Sequence, residues 1–111
     1  METARLALLE TLEDHYRSSG WRVRREDEKT LFADGPGGVT WIGTAVIPAD
    51  LEDEGAEERF KDLAERRMEG GGELCPFELL PSEECKEDLQ ALLKRIGIAD
   101  RGNVAVYSFA A

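Results

Sequence analysis

The segment VTWIGTAVI, residues 39–47, is the longest β-strand that the sequence predicts. Apolar side chains fall on both of its faces, with Val39, Trp41, Ala45 and Ile47 on one and Ile42 and Val46 on the other. A strand that is apolar on both faces lies in the interior of a sheet, between two partner strands. Pro48 ends the strand because proline cannot donate to a β-ladder. The segment therefore predicts a sheet of at least three strands with apolar cover on both faces.

On its N-terminal side, this strand is preceded by an amphipathic helix and two shorter strands. The helix is predicted over residues 3–19, where apolar residues recur at spacings of three and four. The strands are predicted over residues 21–25 and 30–34. The segment Gly-Pro-Gly-Gly at residues 35–38 joins two strands, so we interpret it as a hairpin turn. A phosphate-binding loop would instead open onto the N-terminus of a helix.

On its C-terminal side, helices alternate with strands. The predicted elements are an acidic connection at 50–55, a helix at 54–69, a strand at 73–80, a helix at 82–96 and a strand at 104–109. Pro76 interrupts the first of these two strands, which favours an edge position or a bulge for it. The last strand is apolar on both faces.

The complete element order is α-β-β-β-α-β-α-β, without an internal repeat or linker. Three strands in hairpin order, followed by helical crossovers, predict a mixed sheet with helices packed against it. The sequence therefore predicts one α+β domain over residues 1–111, with a mixed sheet of about five strands and three helices. A chain of 111 residues can bury a core without a metal or a disulfide.

The chain is strongly acidic. Asp and Glu number 24 against 14 Lys and Arg, which gives a net charge of −10. Nucleic-acid binding requires a basic surface that neutralises phosphates, so this charge disfavours a nucleic-acid partner. Two interpretations of the excess acid remain open: a solvated surface that keeps the protein dispersed, or an acidic face that docks a basic partner.

The cysteines and the histidine do not predict a metal site. We interpret Cys75 and Cys85 as small buried apolar residues. Zinc takes four ligands, commonly in close pairs, and two separated cysteines with the lone His15 do not supply them. No secretory signal and no apolar run of membrane-spanning length is present, which favours a cytoplasmic protein with free thiols. The sequence predicts no metal, no cofactor and no membrane association.

The densest basic cluster is Arg22, Arg24 and Arg25. Two of these three side chains point the same way from the predicted strand. If the protein binds an anion, we expect these arginines to hold it. The alternative is that they pair with the neighbouring Glu26 and Glu28. No nucleophile–base pair accompanies them, so we predict no catalytic residue.

Trp21, Trp41 and Tyr107 are the aromatic candidates for a partner interface or for stacking on a ligand. All three fall on predicted strands, so packing in the core is the alternative role. A small-molecule pocket near Trp41 is a further hypothesis, and it predicts that the ligand raises the melting temperature.

The start of the chain, ending in HYRSSGWRVRR at residues 15–25, resembles the start of Holliday-junction resolvases and related nucleases. These proteins share the restriction-endonuclease-like fold, whose α-β-β-β-α-β core order is similar to the order predicted for residues 1–80. The resemblance places Glu10 near a metal-site glutamate that the family carries on its first helix. It also implies an aspartate near the second strand and a Glu-x-Lys motif on the third.

The chain departs from that family at the motif. Asp34 lies at the end of the second strand, beside the turn, and residues 40–47 contain no carboxylate and no lysine. Without these groups the site cannot hold Mg²⁺ or activate a water molecule. The resemblance therefore implies a catalytically inactive relative of these nucleases.

Element order, size and acidity are also similar to those of the small acidic chaperones of type III secretion, which dimerise. Since the chain lacks a catalytic set, we predict a non-catalytic cytosolic protein-interaction module that acts as a homodimer. One alternative is a degenerate nuclease-like module that binds nucleic acid in a groove lined by Arg22 and Arg24. The other is a small-molecule binder.

Overall fold

A five-stranded sheet organises the computed structural model, which describes residues 3–68 and 72–108. The strands stand side by side in the order in which they occur along the chain. They are β1 (Arg22–Arg25), β2 (Thr30–Asp34), β3 (Thr40–Val46), β4 (Phe77–Pro81) and β5 (Val104–Val106). β1, β2 and β3 pair antiparallel, whereas β4 joins β3 and β5 joins β4 in parallel. The predicted α+β domain with a mixed sheet of five strands is confirmed.

β3 is the central strand, as its two apolar faces predict. All its residues from 42 to 46 are buried. A short 3₁₀ turn, Pro36–Gly38, connects it to β2, so the glycine-rich segment is a hairpin connection. Gly37 adopts a φ of +76° in this turn, a conformation that favours glycine.

Helices cover both faces of the sheet. They are α1 (Thr3–Ser18), α2 (Pro48–Leu51), α3 (Ala56–Ala64) and α4 (Lys86–Arg95). α1 packs on one face, where its buried side chains meet those of the sheet: Leu9, Leu12 and Tyr16 against Leu31, Ala33, Ala45 and Leu80. α3 and α4 are the crossovers of the parallel strands and pack together on the opposite face.

The prediction of only three helices is wrong, because α2 occupies part of the segment predicted as an acidic connection. Pro48 is its first residue, where the missing N–H of proline costs no hydrogen bond. Asp50 accepts a hydrogen bond at 3.0 Å from the backbone N–H of Ile47 and so caps the helix. This acidic residue is therefore buried and structural, unlike the solvated acids around it.

The strand predicted over residues 73–80 begins at Phe77 instead, and the expected edge position or bulge is wrong. β4 lies in the interior of the sheet, between β3 and β5. Pro76 precedes the strand, so it removes no donor from the ladder. Its carbonyl accepts a hydrogen bond at 2.8 Å from the backbone N–H of Ile42 and continues the pairing with β3.

The helix predicted over residues 54–69 ends at Ala64. The chain then turns back on itself in a short antiparallel pairing. The backbone N–H of Cys75 donates to the carbonyl of Arg66, and that of Met68 donates to the carbonyl of Glu73, both at 2.8 Å. This pairing holds the residues that follow α3 against the edge of the core.

Three further predictions concern the cysteines, the ends of two elements and membrane-spanning helices. Cys75 and Cys85 are buried free thiols, as predicted. Glu69 and Phe109, the predicted ends of a helix and of the last strand, lie outside the described residues. In the part of the chain that is described, no helix has the length and apolar content needed to cross a bilayer.

Candidate functional site

Two neighbouring cavities lie on the sheet face that carries α3, and we call the surface that contains both of them the groove. Its floor is formed by residues of β2 and β3 that share this face: Thr30, Phe32, Thr40, Ile42, Thr44 and Val46. Because β3 and β4 are parallel, α3 returns the chain along the groove. The acids at the start of α3 therefore lie near one end, and the arginines that follow it lie near the other.

The basic end of the groove is a cavity of about 400 Å³, which we call the arginine cleft. Its charged lining residues are Arg24, Arg66, Arg67 and one carboxylate, Asp34. The guanidinium carbon of Arg24 lies 4.9 Å from the ring centre of Phe32, and that of Arg66 lies 5.5 Å from it. Both distances are within cation–π range. The buried ring of Phe32 thus contacts two guanidinium groups that are far apart in the sequence.

Asp34 balances part of this positive charge. Its carboxylate accepts hydrogen bonds from Nε of Arg24 at 2.7 Å and from Nη2 at 3.3 Å. Thr40 donates a third hydrogen bond, from its hydroxyl, at 3.0 Å. The hydrogen bond from Arg24 holds the pKa of Asp34 below its usual range, so this carboxylate stays charged at neutral pH.

Arg66 and Arg67 keep most of their hydrogen-bonding capacity. A guanidinium group has five N–H donors. Within residues 3–68 and 72–108, Arg66 contacts one carboxylate, with 3.5 Å between its Nη2 and Oδ2 of Asp62. Arg67 donates to the backbone carbonyl of Gly72. Within the described part of the chain, no other hydrogen bond or ion pair is made by these two guanidinium groups.

The opposite end of the groove is a cavity of about 320 Å³, which we call the acidic cavity. Its charged lining residues are the carboxylates Asp27, Glu28, Asp50 and Asp53 and the cations Lys29 and Arg59. Nζ of Lys29 lies 3.3 Å from Oδ1 of Asp50 and 3.5 Å from Oδ2 of Asp53. Arg59 forms an ion pair with Asp27. Carboxylates thus outnumber cations here, and arginines outnumber carboxylates at the other end.

The three arginines predicted as one anion site do not form a single site. Arg22 and Arg24 share the groove face, as the strand pattern predicts, and Arg24 lines the arginine cleft. Arg25 points to the opposite face, where its Nη2 lies 3.4 Å from a carboxylate oxygen of Glu13 on α1. The alternative prediction named Glu26 and Glu28 as the partners of these arginines. In the structure, Arg24 pairs with Asp34 instead.

Sequence reasoning missed Arg66 and Arg67 as members of the site. They lie about forty positions after Arg24 and were expected at the end of a helix, where cations complement the helix dipole. The available signal was the pair of adjacent arginines followed by glycines. This signal indicates a basic segment but not its position in the fold. The segment lies beside β2 because residues 66–68 pair with residues 73–75.

The predicted aromatic candidates lie on the sheet face that carries α1, away from the groove. The rings of Trp21 and Trp41 meet edge to face, with 5.3 Å between their centres. The ring of Trp21 also covers Gly35 so closely that a Cβ atom there would lie 2.7 Å from it. Trp21, Trp41 and Tyr107 are partly buried and pack against the core.

A buried carboxylate lies beneath α1. Glu78 of β4 is 2% exposed and accepts a hydrogen bond at 2.6 Å from the hydroxyl of Tyr16 and another from that of Tyr107. The His15 ring lies against both tyrosine rings, with centres 5.6 and 6.3 Å away. Burial, together with these hydrogen bonds, raises the pKa of Tyr107 to about 12 and that of Tyr16 further. Phenols that hold their protons this firmly are poor nucleophiles and bases at neutral pH.

Among residues 3–68 and 72–108, no group of three His, Cys, Asp or Glu side chains is arranged so that it could hold a metal ion. Within the same residues, no hydrogen bond or ion pair joins Glu10 to Asp34, whose contacts are with Arg24 and Thr40. The two carboxylates that the nuclease resemblance singled out therefore do not form a cation site in this part of the chain.

Comparison with protein families, with characterised proteins and with solved structures finds no match to this chain.

Proposed function

We propose that this protein is a non-catalytic protein-interaction module that acts as a homodimer, with the groove as its contact surface. The observation that carries the proposal is the opposite charge of the two groove ends. Three arginines face one carboxylate in the arginine cleft, and four carboxylates face two cations in the acidic cavity. The charges of the lining residues sum to +2 at one end and −2 at the other, and the ion pairs Arg66–Asp62 and Arg5–Asp50 reduce these to about +1 and −1.

This charge pattern fits a second copy of the same chain. A two-fold dimer uses the same patch on both subunits, so the patch must complement itself after rotation. A two-fold axis that lies in the interface and crosses the middle of the groove at right angles to its length places the arginine cleft of each copy against the acidic cavity of the other. Two attractive contacts then form at once. Complementary charge of this kind directs register and speeds association.

The pattern also supports a protein partner over a nucleic acid. A nucleic acid that follows the groove meets the arginine cleft and then the acidic cavity, which repels phosphates. A net charge of −10 opposes its approach from further away. A small-molecule pocket at Trp41 is less well supported, since the cleft and the cavity lie on the opposite face of the sheet.

Sedimentation velocity at several protein concentrations tests the proposal. We expect a dimer at low salt that dissociates at about 1 M salt, where the Debye length falls to about 3 Å. Arg66→Glu replaces a cation of the cleft by an anion and should yield a monomer at low salt. Arg25→Glu is the matched control, because Arg25 lies on the other face. A wild-type monomer at every concentration, or equal loss in both variants, contradicts the proposal.

A further inference from the structure

We propose that the arginine cleft is also a binding site for a phosphomonoester dianion. This site goes beyond the proposed dimer, because it assigns a small ligand to one end of the groove and does not require a second copy. Concavity, local charge and the identity of the basic residues carry the inference. Each is independent of the chain's overall acidity.

The charge of the cleft fits a dianion. Arg24, Arg66 and Arg67 oppose the lining carboxylate Asp34, and Asp62 lies 3.5 Å from Nη2 of Arg66, so an excess of one to two positive charges surrounds a cavity of about 400 Å³. A phosphomonoester carries about −1.5 to −2 charges at neutral pH. Arginines this close repel one another, and a bound dianion relieves that repulsion.

The geometry of the cleft fits the same ligand. The guanidinium carbons of Arg24 and Arg66 lie 4.9 and 5.5 Å from the ring centre of Phe32, and both arginines line the cavity. Since Nε and Nη2 of Arg24 donate to Asp34, Arg66 is the arginine over the ring whose edge N–H groups we expect to reach the ligand. Arginine forks match the oxygens of a phosphate in pairs. Arg67 supplies a third cation beside them.

The acidic end of the groove selects the form of phosphate. A polynucleotide or other polyphosphate must extend out of the cleft, and along the groove it meets Asp27, Glu28 and Asp53. A terminal phosphate group ends within the cleft and avoids these carboxylates. The ligand class is therefore a phosphomonoester, either a small free molecule or a phosphorylated side chain of a partner.

Isothermal titration calorimetry at constant ionic strength tests the site, with inorganic phosphate as the first probe. Acetate and an oligothymidylate that lacks a terminal phosphate serve as comparisons. We expect phosphate to bind more tightly than either. Phosphoserine and a peptide that contains phosphoserine then separate the two sources: tighter binding of the peptide assigns a phosphorylated partner, and equal binding assigns a free metabolite. Acetate or oligothymidylate binding as tightly as phosphate overturns the proposal.

Matched variants localise the binding. Arg66→Gln should weaken phosphate binding by about tenfold or more, the usual effect of losing a charge-assisted hydrogen bond. Arg25→Gln, on the opposite face, should leave the affinity unchanged. If Arg66→Gln does not fold, chemical shifts of the arginine Nε–H groups in the wild type provide the second measurement. Unchanged affinity in Arg66→Gln, or unchanged arginine shifts at saturating phosphate, overturns the proposal.

The same titration on Glu28→Lys/Asp53→Lys separates this site from the dimer. These substitutions reverse the charge of the acidic cavity and leave the arginine cleft intact, so the variant should be monomeric and still bind phosphate. Phosphate binding by a wild type that never dimerises refutes the proposed dimer alone. If the wild type dimerises but neither the wild type nor the double variant binds phosphate, the phosphate site alone is refuted.

Discussion

Glu78 shows how one residue organises the sheet face beneath α1. Its carboxylate lies in the middle of the sheet and is satisfied by two phenolic hydroxyls, Tyr16 from α1 and Tyr107 from the segment after β5. Buried charge is costly unless it is hydrogen-bonded. The cluster therefore ties a helix and the end of the sheet to one side chain.

Replacing Tyr16 by Phe tests this role. The variant keeps the ring and leaves one buried carboxylate oxygen without its donor, so we expect a loss of about 2 kcal/mol in the free energy of unfolding. Tyr107→Phe should cost less, because Tyr107 is only partly buried and water can replace its hydroxyl. Urea unfolding curves measure both. A Tyr16→Phe variant as stable as the wild type shows that the hydrogen bond contributes nothing.

The same cluster predicts a loss of stability at alkaline pH. Burial raises the pKa of Tyr107 from 10.0 to about 12, and that of Tyr16 also rises. The folded state thus favours the protonated phenols, so their contribution is complete below pH 10 and is lost as the pH rises from 10 through 12. Urea midpoints across this range should fall more steeply for the wild type than for Tyr16→Phe/Tyr107→Phe. Parallel curves contradict this assignment.

At the scale of elements, Asp50 caps the start of α2 and joins it to α1. Burial alone raises the pKa of its carboxyl, but hydrogen bonds from Arg5 at 2.6 Å and from the Ile47 N–H outweigh it and hold the pKa below its usual range. Arg5 and Asp50 are both nearly inaccessible to solvent. Their ion pair fastens the start of α1 to α2.

Asp50→Asn should therefore destabilise the protein by about 3 kcal/mol or more, because it removes the charge of the carboxylate that pairs with the buried Arg5 at 2.6 Å. Asp34→Asn is the control, since its ion pair with Arg24 is exposed and is worth about 1 kcal/mol or less. Chemical denaturation of both variants provides the comparison. Equal losses would show that burial of the Arg5–Asp50 pair has no special weight.

Gly43 determines how closely α1 approaches the sheet. A Cβ atom at this position would lie 2.6 Å from the hydroxyl oxygen of Tyr16, so α1 packs against bare backbone. Gly43→Ala should cost about 1–3 kcal/mol, the usual effect of overpacking a core. Gly102→Ala is the control, because a Cβ atom there has open space. Thermal unfolding of the two variants gives the test, and equal melting temperatures contradict it.

The elements that could be predicted are those whose signal is local. The two apolar faces of β3 placed it at the centre of the sheet, and the glycines at 35–38 placed the hairpin. The prediction of an edge strand or a bulge from Pro76 was wrong because a proline disrupts a ladder only when it lies within the strand. β4 begins one residue after Pro76. α2 was missed because four residues are too few for a periodic pattern.

At the scale of the whole molecule, the groove could be anticipated only in part. The strand period put Arg22 and Arg24 on one face, and that placement agrees with the structure. The other two arginines of the cleft come from beyond α3, and no local pattern relates them to β1. The net charge of −10 also gave no indication of the site. A sum over the whole chain does not show that basic residues gather at one end of the groove and acidic residues at the other.

The most direct test of the dimer reverses the charge at each end of the groove in separate proteins. Arg24→Glu/Arg66→Glu makes both ends acidic, and Glu28→Lys/Asp53→Lys makes both ends basic. We expect each variant alone to be monomeric by light scattering. An equimolar mixture restores opposite charges at both contacts, so it should form a one-to-one heterodimer that dissociates in high salt. A mixture that stays monomeric while the wild type dimerises would contradict the groove as the contact surface.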